Sequence, residues 1–186
     1  MPKIHDAKIA ILSTHGFEQS ELEVPLRKLR EAGAEVHVIA PEGGEIKGWD
    51  GDDWGNTVPV DKTLDKALVA EYNALVLPGG QINPDLLRAN KNAVNFIREF
   101  LETGKIIAAV CHAPWLLIEA AAVAGREMTS YHSIKTDMIN AGAKWVDQPV
   151  ATDDGIITSR NPDHLDAFVA KIIEEVDEGR HYRQAA

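Results

Sequence analysis

Hydrophobic positions in this chain fall into short continuous runs, separated by longer stretches with helical spacing. The first run, "KIAILS" from Lys8 to Ser13, is apolar on both faces, as in a strand of a parallel sheet. The next stretch, "SELEVPLRKLREAG", puts Leu22, Leu26 and Leu29 on one face of a helix, with Gly33 as its stop. Pro25 reads as an early helix position, where a missing N–H does least harm. "AEVHVIAP" is a second strand, ended by Pro41. Glu42 to Asp61, rich in Gly and Asp, breaks the rhythm and predicts a hairpin or loop at the sheet edge. "YNALVLPGG" is a strand with its turn, and "NKNAVNFIREFLETGK" is an amphipathic helix with Val94, Ile97 and Leu101 on one stripe. "IIAAV" is a further buried strand, and the run from about Ala113 to Ala124 reads as the helix after it. A short helix near "SIKTDMINAG", a strand pair around "WVDQPVATDDGIITS" and a last helix from about Pro162 to Val176 complete the pattern. Asn161 is the expected N-cap of that last helix.

Strands alternating with helices predict a doubly wound α/β fold with a mostly parallel central sheet. At 186 residues the chain is expected to form one domain over residues 1–186, with a loosely ordered tail at about 180–186. The formal net charge of -10 and the lack of a Lys/Arg cluster argue against direct nucleic-acid binding. The segment "IIAAVCHAPWLLIEAAAVAG" is nearly apolar over 20 residues, the length of a membrane helix. His112, Pro114 and Glu119 interrupt it, so a buried strand running into a buried helix is the better reading, and no membrane partner is expected. The N-terminus has no charged segment followed by a long apolar run, so no signal peptide is expected. One cysteine forms no internal disulfide, which fits a reducing cytoplasm.

That cysteine is the candidate for chemistry. Cys111 stands where a strand turns into a helix, the geometry of a nucleophile elbow. The alternative is a small inert core residue, as free cysteine usually is. The N-terminus of the following helix would favour a thiolate and lower the thiol pKa. Three loops fall at strand ends where ligands bind in open α/β sheets: "STHGFEQSE", "PGGQINPD" and "CHAP". The Pro78-Gly79-Gly80 turn offers Gly79 and Gly80 as oxyanion donors, together with N–H groups at the start of the helix. Small residues at Ala108, Ala109 and Ala113 let the elbow pack tightly.

Four blocks, "GFEQSELEVPLRKLREAG", "LVLPGGQINPDLLR", "AVCHAPWLLIEA" and "TSYHSIKTDMINAGAKWVD", resemble the PfpI family of the wider PfpI/DJ-one superfamily, related to class I glutamine amidotransferases. The resemblance runs from about Lys8 to about Val176. It implies a flavodoxin-like three-layer sandwich and a nucleophilic Cys111 with His112 as its neighbour. It also implies that Glu18 lies under the thiol. A carboxyl beside a buried thiol is expected to stay protonated and to donate a hydrogen bond to the sulfur. By position alone Glu18 reads equally well as a helix-start acid, and Glu21 and Glu23 compete for the same place. The family orients its histidine with an acid contributed by a neighbouring subunit. The matching position is Asp85, which otherwise reads as a first-turn helix acid, and the resemblance thus implies a dimer or hexamer.

The chemistry implied is attack of a thiolate on an electrophilic carbonyl, without cofactor or metal. The resemblance implies, as the preferred substrates, small aldehydes or glycated protein and nucleotide adducts, with methylglyoxal and glyoxal as the aldehydes. Intracellular peptide hydrolysis is the alternative, but no substrate groove is legible. A non-enzymatic stress sensor or holdase is the second class, since a thiolate beside a carboxyl oxidises selectively and no second cysteine resolves it. "DGDDWGNTVPVD", Asp50 to Asp61, only superficially resembles a calcium loop, because Trp54 takes a ligand place and Pro59 intrudes. His37, His132 and His164 lack metal-ligand spacing. Tyr131 and His132 are candidates for the pocket mouth, and Trp49 and Trp54 for an edge or an interface.

Overall fold

A computed structural model describes residues 2–179. In chain order it contains β1 (Lys8–Leu12), α1 (Gln19–Glu31), β2 (Glu35–Ala40), β3 (Glu45–Asp50), β4 (Asp53–Pro59), β5 (Lys62–Thr63), β6 (Ala74–Leu77), α2 (Ile82–Arg88) and α3 (Lys91–Glu102). These are followed by β7 (Ile106–Val110), α4 (Pro114–Glu119), β8 (Glu127–Met128), α5 (Lys135–Asn140), β9 (Lys144–Trp145), β10 (Val150–Asp153), β11 (Ile156–Ser159) and α6 (Leu165–Glu178). Seven strands form one sheet in the order β10-β11-β7-β6-β1-β2-β5. Every neighbouring pair is parallel except β10 against β11.

The continuous apolar runs are explained by burial on both faces of this sheet. On β1, Ala10 and Leu12 face one cluster while Ile9 and Ile11 face the other. The first cluster takes α3 and α4 through Phe96, Ile97, Phe100, Leu116 and Leu117. The second takes α1 and α6 through Leu22, Leu29, Phe168 and Ile172. Each such fully buried Leu or Phe contributes on the order of 2 kcal/mol relative to exposure. The result is the expected flavodoxin-like three-layer sandwich. From β1 the chain moves outward to β2, then returns to the other side of β1 as β6. That reversal opens a crevice beyond the carboxyl ends of β1 and β6, where an open α/β sheet binds ligands.

Several elements differ from the sequence expectation. The hairpin of β3 and β4 forms its own two-stranded sheet, tied to α1 by Gln19 and Glu23, which bond Asn56. Pro25 sits in the interior of α1, so no N–H is available there for the Glu21 carbonyl. Helix α2 was hidden because Asn83 and Pro84 read as a loop; Pro84 lies in the first turn, where its missing N–H has no partner to lose. Helix α4 ends at Glu119, not near Ala124. Ala121 adopts φ +59°, and the N–H groups of Ala121 and Ala122 close back on the carbonyls of Ile118 and Leu117. That is a Schellman stop built on alanine, which carries no glycine signal. Asn161, expected to cap the last helix, instead caps the 3-10 turn Pro162–His164 before it, accepting from the Asp163 N–H at 3.0 Å, and α6 itself starts at Leu165 without a side-chain cap. The tail expected to be loosely ordered, about 180–186, lies outside the described residues. No helix among the described residues is long and apolar enough to cross a membrane.

Candidate functional site

Loops from three strand ends meet at Cys111. The residue follows β7 directly and adopts φ +63°, a left-handed conformation that costs a non-glycine residue on the order of 1 kcal/mol. Neighbouring elements hold it there. Its N–H donates to the Ser159 carbonyl at 3.0 Å, and its carbonyl accepts from the Tyr131 N–H at 2.8 Å. The side chain is 5% exposed. Gly79 comes so close that a Cβ there would stand 2.7 Å from the Cys111 Cβ and overlap a Glu21 oxygen. Gly80 has φ +84° and its missing Cβ would meet the Glu18 nitrogen at 2.7 Å. Sequence reasoning missed the brace of this arrangement. The fully buried Asn83 donates to the carbonyls of Pro78 at 2.9 Å and Gly79 at 3.2 Å, and accepts from the Thr14 N–H at 2.8 Å. One side chain thereby fastens the loops after β1 and β6.

The acid beside the thiol is Glu21, not Glu18. Glu18 is the N-cap of α1: its carboxylate accepts from the Glu21 N–H at 2.9 Å and from the Ser20 hydroxyl at 2.5 Å. Capping by Glu18 sets the register of the helix, which turns the residue three places on into the sheet end. Glu21 is 0% exposed, lies beside Cys111 in the cavity wall, and accepts from the Gly79 N–H at 2.9 Å through one oxygen, while its Oε1 is buried without a hydrogen-bond partner among the described residues. The Gly79 N–H is thus committed to a carboxyl and is not a free oxyanion donor. The N–H groups of Gly80 and His112 lie close enough to the sulfur to favour its charged form, and the Gly80 N–H also serves the Glu21 carboxyl.

His112 is 4% exposed, with its Nδ1 3.1 Å from the Cys111 Sγ and its Nε2 3.1 Å from the Ser133 Oγ. Tyr131 stacks on its ring at 4.8 Å, and Trp115 meets it edge-on at 5.2 Å. Within the chain Asp85 does not serve His112. Its carboxylate is held by Arg88 at 2.6 and 2.9 Å, a short i,i+3 pair on α2. The in-chain partner of the histidine is Ser133, which no sequence motif announced.

The thiol opens into a cavity of about 430 Å³, lined by Glu18, Glu21, Trp49, Gly80, Gln81, Ile82, Cys111, His112, Tyr131 and Pro162 among others. Trp49, expected at an edge or interface, forms one wall, while Trp54 packs against it edge-on and is 45% exposed. Among the described residues no group of three or more His, Cys, Asp and Glu side chains is placed to hold a metal ion.

The family model described as the DJ-1/PfpI family matches residues 7–175. The chain belongs to the DJ-1/PfpI family. It is 44% identical over 163 residues to a protein of Escherichia coli (strain K12) named protein/nucleic acid deglycase 2, covering 87% of this chain and 92% of that one. It is 43% identical over 163 residues to general stress protein 18 of Bacillus subtilis (strain 168), again covering 87% and 92%. Among solved structures, a two-domain protein of Anabaena variabilis, with DJ-1/ThiJ/PfpI-like and ferritin-like domains, superposes with a TM-score of 0.87 at 37% identity. That match covers 92% of this chain, which spans 48% of the two-domain protein.

The electrostatics of this DJ-1/PfpI site follow from its burial. Burial first, then the charge of Glu18, raises Glu21 to about 8, so at neutral pH the carboxyl keeps its proton. A protonated Glu21 has a hydrogen to offer a thiolate that forms beside it. Burial pushes the Cys111 thiol up, and a charged Glu21 adds to that, while the N–H groups of Gly80 and His112 pull the other way. The expected lowering by the helix N-terminus is therefore outweighed: α4 begins only at Pro114, and desolvation dominates. As long as Glu21 holds its proton, its repulsion of a thiolate is absent, so the two groups titrate as a unit. Burial, with the charge of His132 second, lowers His112 to about 4, leaving a neutral ring able to take the thiol proton at Nδ1. The arrangement can form a thiolate on demand, beside two N–H donors and a carboxylic acid.

Proposed function

We propose that this chain is a cysteine hydrolase that removes early methylglyoxal and glyoxal adducts from proteins and nucleotides, as part of a protective stress response in the cytoplasm. The observation that carries the reading is Cys111 on its elbow, with the buried Glu21 carboxyl beside it and the His112 Nδ1 3.1 Å from the sulfur, at the base of an open cavity. The name of the Escherichia coli relative supports it. A cavity of about 430 Å³ suits a small adduct carried on a side chain.

His112 takes the thiol proton, and the sulfur attacks the aldehyde-derived carbon of the adduct. The bond from that carbon to the amine breaks, and the amine leaves with the proton from His112. A hydrogen shift within the bound three-carbon unit turns it into a hydroxyacyl thioester. Water cleaves the thioester, releasing a hydroxy acid and restoring the thiol. The Gly80 and His112 N–H groups stabilise the oxyanion of the last step. No external oxidant is needed, because one carbon is oxidised as its neighbour is reduced. Self-association as a dimer or hexamer belongs to the same proposal, with Asp85 at or near the contact.

The test is a side-by-side assay of the native chain and Cys111→Ser on a methylglyoxal-modified thiol or amine, on free methylglyoxal, and on casein-type peptides. The reading expects hydroxy acid from the first two, lost in Cys111→Ser. Peptide cleavage without adduct turnover overturns it.

A further inference from the structure

The imidazole of His112 has a partner on each nitrogen inside one chain: the Cys111 Sγ at Nδ1 and the Ser133 Oγ at Nε2, each at 3.1 Å. We infer that Ser133 is the positioning residue of the site, holding the His112 ring and its proton so that Nδ1 stays open toward the thiol. The inference rests on the proposed reaction for its kinetic consequence, and on geometry alone for its structural one.

The proton assignment follows from chemistry. Nδ1 faces the thiol, which has a hydrogen to give, so in the resting site Nδ1 is taken as the acceptor from Cys111. A neutral imidazole then carries its hydrogen on Nε2, where the Ser133 Oγ accepts it. When the thiol proton moves to Nδ1, the ring becomes a cation with both nitrogens protonated. The Nε2–H stays on Ser133, and the bond becomes charge-assisted and stronger. Ser133 thus stabilises the state in which the thiolate exists.

Ser133 is held in place for this. It lies in the 3-10 turn from His132 to Ile134, anchored by Ile134, which is buried against the core. The same segment is tied to the elbow through the Tyr131 N–H on the Cys111 carbonyl at 2.8 Å, and Tyr131 stacks on the His112 ring. Tyr131 fixes the ring plane and Ser133 fixes the rotation within it. The resemblance to the family led instead to Asp85, but within this chain that carboxylate is spent on Arg88.

The test uses the full chain, with Ser133→Ala, Ser133→Thr and Asp85→Asn beside the native protein. Nitrogen chemical shifts of His112 report which nitrogen carries the proton, independently of turnover. The native ring is expected to show a protonated Nε2 and an accepting Nδ1. Ser133→Ala is expected to shift Nε2 and mix the two forms. It should also lower kcat on a methylglyoxal adduct about tenfold with little change in KM, the loss of one hydrogen bond at the charged ring. Ser133→Thr restores both readouts, because its hydroxyl is retained. The inference is overturned if Ser133→Ala leaves the nitrogen shifts native, or if Asp85→Asn changes them and Ser133→Ala does not; the second result assigns the ring to an acid from another copy of the chain. If the native protein turns over no adduct, the proposed reaction fails while the shifts still decide the place of Ser133.

Discussion

Glu18 and Glu21 are three residues apart, and their fates differ because one caps a helix and the other is inside it. Sequence offers acids at positions 18, 21 and 23 with nothing to choose between them, and the resemblance pointed to Glu18. What decides is the start of α1: Glu18 spends its carboxylate on the Glu21 N–H and the Ser20 hydroxyl, and Glu21 is carried under the thiol. The two residues therefore respond differently to substitution. Glu18→Ala loses a cap, a cost of about 1 kcal/mol in stability measured by urea unfolding. Glu21→Leu removes the carboxyl that could donate to a thiolate and is expected to slow alkylation of Cys111 by iodoacetamide on the order of tenfold, more than Glu18→Ala does. Equal slowing by both would show that Glu21 has no special hold on the thiol. Ser133 and Asn83 were not legible at all. Each acts through a contact made across the fold, and neither belongs to a motif with local spacing.

The strands of the sheet were legible because burial on both faces leaves their runs uninterrupted, as in "KIAILS" and "IIAAV". The elbow was legible for the same reason: an apolar strand stops at a cysteine, and a proline-led helix follows. The ends that were missed lack the usual signals. Helix α4 stops on Ala121 at φ +59° where a glycine would have announced the turn, and α2 begins through residues that read as a loop. Asn83 shows what the short α2 accomplishes, since it pins the loops after β1 and β6 around Gly79 and Gly80. Asn83→Ala leaves the Thr14 N–H and two carbonyls without their partner in a buried place. A cost of about 2 kcal/mol is expected, read as a fall in Tm of roughly 5 °C. An unchanged Tm would mean that the loops hold without this brace.

Across the whole molecule, two buried groups make stability depend on pH in opposite directions. Glu21 is raised from 4.5 to about 8, so over that interval the unfolded chain gives up a proton that the fold keeps, and stability falls as pH rises. His112 is lowered from 6.5 to about 4, so over that interval the unfolded chain binds a proton that the fold refuses, and stability rises with pH. The two oppose each other below pH 6.5, and between 6.5 and 8 the Glu21 effect acts without that opposition. Urea midpoints of the native chain should decline over that window, and those of Glu21→Gln should not; parallel curves would remove the protonated carboxyl from the account. The protonated carboxyl, the neutral imidazole and the thiol matter together only if the sulfur bonds to the substrate. The most direct measurement is the mass of the Cys111-containing peptide, after rapid acid quench of the protein mixed with a methylglyoxal-modified thiol or amine. A transient three-carbon acyl group on Cys111 is expected, formed and lost within turnover and missing from Cys111→Ser. Steady hydroxy acid release with Cys111 unmodified throughout, or undiminished release by Cys111→Ser, would contradict it.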